Sequence, residues 1–141
     1  MTPGIETSIW LALKSRIDTL PLAYPRAWPG QTFQVPSSGG QLLPFLRIGR
    51  VTVAPTRQLL ADGKPHERSG SLMVTLIQPL GQDVAVYDQI AAGIAEHFID
   101  GTQMRYGAVC VAVSSYPHVQ EGYEDTGYWT VPVRIPWRCF A

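Results

Sequence analysis

From 127 to 140 the chain alternates. Trp129, Val131, Val133, Ile135, Trp137 and Cys139 share one parity; Tyr128, Thr130, Pro132, Arg134, Pro136 and Arg138 share the other. Successive side chains of a β-strand point to opposite faces, so a period of two demands an extended strand with one face buried. A helix would scatter the same apolar residues around its circumference. The apolar face needs cover, which requires a sheet with a second layer packed on it. The prolines constrain the strand further. Pro132 and Pro136 have the same parity, so one side lacks two backbone donors within five residues. That predicts an edge strand, or a bulged one, whose intact ladder uses the odd residues. Proline at an edge also resists uncontrolled strand addition.

The rest of the chain supplies the partners. Ile5, Ile9, Leu13 and Ile17 recur at four-residue spacing, which predicts an amphipathic N-terminal helix with Thr2 as cap, Pro3 and Glu6 in its first turn, and Pro21 as its stop. A second helix is expected over 83–98: Asp83 caps it, Tyr87, Ile90, Ala91, Ile94 and Phe98 form one stripe, and Asp100-Gly101 ends it. Strands are expected at 22–24, 45–53, 71–78 and 104–114, the first followed by an irregular, proline- and glycine-rich loop. The order α, β, β, β, α, β, β is that of an α+β fold: two helices on one face of a mostly antiparallel or mixed sheet. The 17 residues of 54–70 are long for a hairpin connection and are expected to form an extended arm. The predicted core joins Ile9, Leu13, Ile17, Ile90, Ile94 and Phe98 to the odd residues of the last strand.

The 141 residues suit one domain spanning 1–141. Eleven Lys+Arg balance eleven Asp+Glu, which argues against a protein built to neutralise phosphates. The chain is charge-poor, with 16% charged residues, and such surfaces associate readily. Nine of the eleven cations are Arg; Arg is enriched at interfaces, although a GC-rich genome produces the same bias. Cys110 and Cys139 are too few for a disulfide scaffold. No apolar run approaches the ~20 residues of a membrane span, and no signal peptide is apparent. These features suggest a soluble protein of a reducing cytoplasm.

No catalytic pattern emerges. The chain has no phosphate-binding or dinucleotide glycine motif, no nucleophile elbow and no zinc-protease helix. His66, His97 and His118 are dispersed, the cysteines sit among apolar residues, and Glu121, Glu124 and Asp125 lack the ligand spacing of a calcium loop. Neither enzymatic activity nor a cofactor or metal is expected. Two long loops of opposite character stand out instead. The first arm carries Arg57, Lys64, His66 and Arg68 with Asp62 and Glu67; the loop 115–126 carries Glu121, Glu124 and Asp125 with no cation. In a head-to-tail ring one surface must fit a different surface of the next copy, and these loops would fit. The plainer alternative is two solvated loops. Arg134 and Arg138 would add side-chain contacts from the last strand.

Seven segments together carry a resemblance. They are IETSIWLALKSRI, LAYPRAWPGQTFQVP, LPFLRIGRV, ERSGSLMVTLIQPLG, YDQIAAGIAEHFIDGTQM, GAVCVAV and GYEDTGYWTVPVRIPWR. In this order they resemble the tail-terminator-like proteins of long-tailed, siphovirus-type bacteriophages and prophages, over essentially the whole chain. The resemblance implies a structural virion protein, assembled in the host cytoplasm. It would form a hexameric ring on the tail tube, stop tube polymerisation and offer the surface that joins the head. Its partners would be other copies of itself, the tail tube protein and the head–tail connector, with no direct nucleic-acid recognition and no membrane. The family brings no catalytic motif. Another neck component, such as a connector or head completion protein, shares this size and style; a small ligand-binding domain is the alternative from another class.

Overall fold

The alternating C-terminal segment forms a strand from Tyr128 to Phe140, and it is the spine of the molecule. The computed structural model describes residues 4–57 and 66–140, with side chains described outside 53–66. The elements run α1 (Ile5–Asp18), β1 (Arg26–Ala27), β2 (Ser37–Ser38), β3 (Gln41–Leu42), β4 (Phe45–Arg57) and β5 (His66–Pro79). They continue with α2 (Val84–His97), β6 (Gln103–Tyr106), β7 (Val109–Val113), β8 (His118–Val119), β9 (Tyr123–Asp125) and β10 (Tyr128–Phe140). The main sheet is ordered β1-β4-β5-β10-β7-β6, with β8 and β9 also paired to β10; β2 and β3 form a separate small hairpin. Only β1 is parallel to its neighbour among the described pairings. This is the α+β architecture expected from the sequence.

One core lies between the sheet and the two helices. Leu46 and Ile48 of β4, Leu72, Val74 and Leu76 of β5, Val111 and Val113 of β7, and Val131 to Cys139 at odd positions of β10 line its sheet side. Ile9, Leu13 and Ile17 of α1, Tyr87, Ala91 and Ile94 of α2, and Phe98 close it from the other side; Ile90 and Trp129 pack at its margin, half-buried. The expected core is therefore present. Two tryptophans, Trp137 in the core and Trp129 at its margin, need glycine opposite them. An added Cβ at Gly70 would lie 2.8 Å from Trp137 Cζ2, and one at Gly122 would lie 2.5 Å from Trp129 Nε1. Neither glycine has a positive φ in the left-handed range, so the demand is one of space and not of backbone freedom.

Five local expectations are corrected. First, β10 is central and not an edge. It pairs with β5 along its whole length, from Tyr128↔Pro79 to Phe140↔Glu67. Its other side meets β9, β8 and β7 in turn, at 128–130, 133–134 and 137–138. The prolines sit on this broken side, because Pro132 O accepts from Gln120 N (2.9 Å) and Pro136 O from Ser114 N (3.0 Å). Proline removes a donor and keeps its acceptor. A neighbour divided into short pieces tolerates the missing donors, so the parity argument holds while the edge assignment does not. Second, the short N-terminal strand lies at Arg26–Ala27 and not at 22–24; Leu46 N donates to Pro25 O at its start. Third, 104–114 is two strands, not one, turning at Gly107 (φ +59). Fourth, much of 54–70 is not a free arm. β4 and β5 continue to pair up to Arg57↔His66, with a register shift between Val53 and Thr56. The tip, 58–65, lies outside the described residues. Fifth, α1 begins at Ile5 with Gly4 as its N-cap; the expected cap Thr2 lies outside the described residues. Asp83, by contrast, caps α2 as expected, accepting from Ala85 N.

Candidate assembly surfaces

The two helices are locked together at their C-terminal ends. Arg16 of α1 donates through Nε (3.1 Å) and Nη2 (2.7 Å) to the carbonyl of His97 on α2. His97 Nε2 lies 2.8 Å from Thr19 Oγ1 and 3.1 Å from Arg16 O. Because Thr19 Oγ1 itself donates to Arg16 O, the arrangement suits a neutral imidazole with its proton on Nε2. Burial pushes the His97 pKa below its ordinary value of 6.5, the Arg16 charge adds to this, and the bond to Arg16 O opposes it. A folded-state pKa below the unfolded one means that the unfolded chain takes up the proton first. The stabilising contribution is then complete above pH ~6.5 and is lost as pH falls toward the folded value. Between pH 7.5 and pH 5.5 the melting temperature of the wild type is expected to fall more than that of His97→Gln. An equal fall in both would show that His97 does not carry the effect. This histidine is a structural latch.

Among the described residues, no three His, Cys, Asp or Glu side chains come together to hold a metal ion. Cys110 and Cys139 are free thiols, and burial pushes the Cys139 thiol up. A shallow depression lined by Gln41, Leu42, Pro79, Leu80 and Gly127 contains no titratable side chain. Among the described residues, no helix is long and apolar enough to cross a membrane.

What the fold does build is two contrasting faces. One face of the sheet lies under the helices. On the other, at the β4 start, the loop ending at β3 covers a small aromatic cluster: Phe33 and Phe45 (5.1 Å between centroids) and Phe45 and Tyr128 (5.7 Å). Beyond it that face is open. Arg47, Arg134 and Arg138 are exposed there, and by parity Arg105 of β6 belongs with them. Arg134 Nε donates to Ser71 Oγ (2.9 Å), Arg138 lies 6.0 Å over the Phe140 ring, and Arg105 Nη2 donates to Gln103 Oε1 (3.1 Å). Arg47 and Arg105 were not singled out from sequence. The outward parity of Arg47, between the inward Leu46 and Ile48, was readable; that of Arg105 was hidden by taking 104–114 as one strand.

The other expected contact residues separate. Arg68 does not project from an arm: it is ion-paired with Glu6 at the start of α1. Arg57 and His66 form the last described pair of the β4–β5 hairpin, and their side chains, like all of Lys64, lie outside the described residues. Glu121, Glu124 and Asp125 are all exposed, at and beside β9. Glu124 pairs across from Trp129, on the helix-facing side of the sheet, while Asp125 pairs across from Tyr128.

Over residues 8–137 the chain matches the family described as phage tail terminator protein. It belongs to the phage tail terminator family. The match runs from α1 into β10 and so takes in both helices. As a terminator-family member the chain is a structural protein of the phage tail. Two solved structures share its fold. One chain is 22% identical, with a TM-score of 0.72 over 95% of this chain and 94% of its own. The other comes from the virion of a native gene transfer agent particle; it is 7% identical, with a TM-score of 0.61 over 99% of this chain and 100% of its own. At these identities the likeness is one of fold alone. A comparison with curated proteins finds no match.

Proposed function

We propose that copies of this terminator-family chain assemble into a ring of six on the upper end of the tail tube. The ring stops tube polymerisation and presents the surface to which the filled head joins. The observation that carries this reading is the family match over residues 8–137. It is supported by an open, arginine-bearing sheet face and a separate acidic rim, since a closed head-to-tail ring needs two different surfaces per subunit. The partners are further copies of the chain, the tail tube protein and the head–tail connector. Assembly takes place in the host cytoplasm and the product resides in the virion. The protein acts by binding, with no reaction and no cofactor.

Tail tubes grown without this protein are expected to be long and of scattered length in electron micrographs. Adding it during growth should give short tubes of uniform length, with extra density at one end. Unchanged tube lengths would overturn the reading. So would tails of normal length that fail only to join heads, because that is the behaviour of a connector or head completion protein.

A further inference from the structure

The chain's zero net charge conceals a separation. On the helix-facing side and at the sheet margin, the described cations are taken up within the fold. Arg16 and Arg26 bond backbone carbonyls, Lys14 and Arg50 lie 5.0 Å over the Trp28 and Trp10 rings, and Arg68 pairs with Glu6. The four arginines of the open face are all exposed, whereas Lys14, Arg16, Arg26 and Arg68 are half-buried. Arg47, Arg105, Arg134 and Arg138 have no carboxylate partner among the described residues. The carboxylates of the rim are likewise without a cation among the described residues: Glu121, Glu124 and Asp125 form no ion pair there.

Within one copy, Glu124 cannot reach Arg138. Nine residues separate Trp129, the β10 partner of Glu124, from Arg138. At about 3.3 Å per residue that is roughly 30 Å, well beyond a Debye length at physiological salt. Moreover Glu124 projects on the helix-facing side and Arg138 on the other. We propose that the open face is the seat for the acidic rim of a second copy: Arg134 and Arg138, flanked by Arg47 and Arg105, receive Glu121, Glu124 and Asp125 of the next subunit. The contact is head-to-tail, since each copy keeps one unused face and one unused rim. This inference rests on the ring reading above and names the surfaces that close it. It favours a protein partner over duplex DNA because the matching negative surface is carried by the same chain, and the whole chain is neutral.

The test is a charge exchange. One variant carries Arg134→Glu and Arg138→Glu; a second carries Glu121→Lys, Glu124→Lys and Asp125→Lys. Arg105→Glu, on the exposed edge strand β6, serves as a milder version if the first variant melts early. Light scattering is used to follow self-association, alone and on tube ends, and melting curves establish that each protein is folded. The wild type is expected to associate beyond two copies, less so as salt rises. Each variant alone should associate at least ~10-fold more weakly. An equimolar mixture of the two multiple variants should regain assembly, because the reversed face of one then meets the reversed rim of the other. Folded variants that assemble like the wild type overturn the inference and leave the ring reading standing. Variants that keep assembly but lose retention of duplex DNA also overturn it, and assign the face to nucleic acid. A wild type limited to two copies overturns the head-to-tail contact. A wild type that stays monomeric both alone and on tubes overturns the ring reading and this inference together.

Discussion

Trp137→Ala is expected to cost the fold about 3–5 kcal/mol. The indole is 2% exposed, stands at the middle of the sheet on β10, and closes over Gly70 of β5. Its removal leaves a void beside β5 and β10, which are paired to each other along the whole of β10 and cannot collapse into it without breaking their register. A domain of this kind has about 5–15 kcal/mol in total, so the loss is a large share of it and should lower the melting temperature by about 10 °C or more. Denaturant titration with an unchanged slope would measure it directly. Trp137→Phe should retain most of the stability. The Trp137 Nε1 donor is buried with no partner in the described structure, so phenylalanine removes an unpaired polar group along with part of the ring. A loss below ~1 kcal/mol for the alanine variant would mean that the core is not centred on β10.

Gly70→Ala is expected to destabilise by about 1–3 kcal/mol, toward the upper end. At an ordinary strand position the same change would stabilise, by roughly 0.5–1 kcal/mol, because glycine loses more backbone freedom on folding. The sign reverses here because the new methyl would sit 2.2 Å from Val51 O and 2.8 Å from Trp137 Cζ2. A ring can rotate away, whereas the carbonyl of β4 is held in its ladder. Combining Gly70→Ala with Trp137→Ala separates the two obstacles. The double variant should lose less than the sum of the single losses, since the ring contact has gone, yet Gly70→Ala should still cost stability because the carbonyl remains. A neutral or stabilising single variant would overturn the β4–β5–β10 register.

Both predictions rest on contacts between residues distant in sequence, and this marks the boundary of what the chain alone discloses. Parity along 127–140 gave the buried face of β10, and parity also assigned the prolines to one side and the odd residues to the continuous ladder. These are properties of a strand by itself. Whether that strand is central depends on which segments come to its second side. There β7, β8 and β9 arrive as short pieces whose own sequences carry little pattern. Proline forbids donation only, so its acceptor could still be used, and a local rule about edges failed for a reason that only neighbours supply. The turn at Gly107 was concealed in a run of small apolar residues with no Asn or Asp to announce it.

The candidate surfaces divide in the same way. Arg134 and Arg138 were legible as outward residues, and Glu121, Glu124 and Asp125 as exposed acids, because exposure and local charge follow from pattern and composition; the expected loop 115–126, however, contains β8 and β9, both paired to β10. That Arg68 turns inward to Glu6, and that Arg105 joins the open face, required the meeting of β5 with the start of α1 and the β6–β7 hairpin. The sequence by itself determined two amphipathic helices, the alternating strand and an α+β fold, since each follows from the period of apolar residues along a few turns or a few pleats. The strand order, the glycines beneath the tryptophans and the gathering of four exposed arginines on one sheet face were decided only by the tertiary structure, because each is a relation between segments that touch in space and lie far apart along the chain.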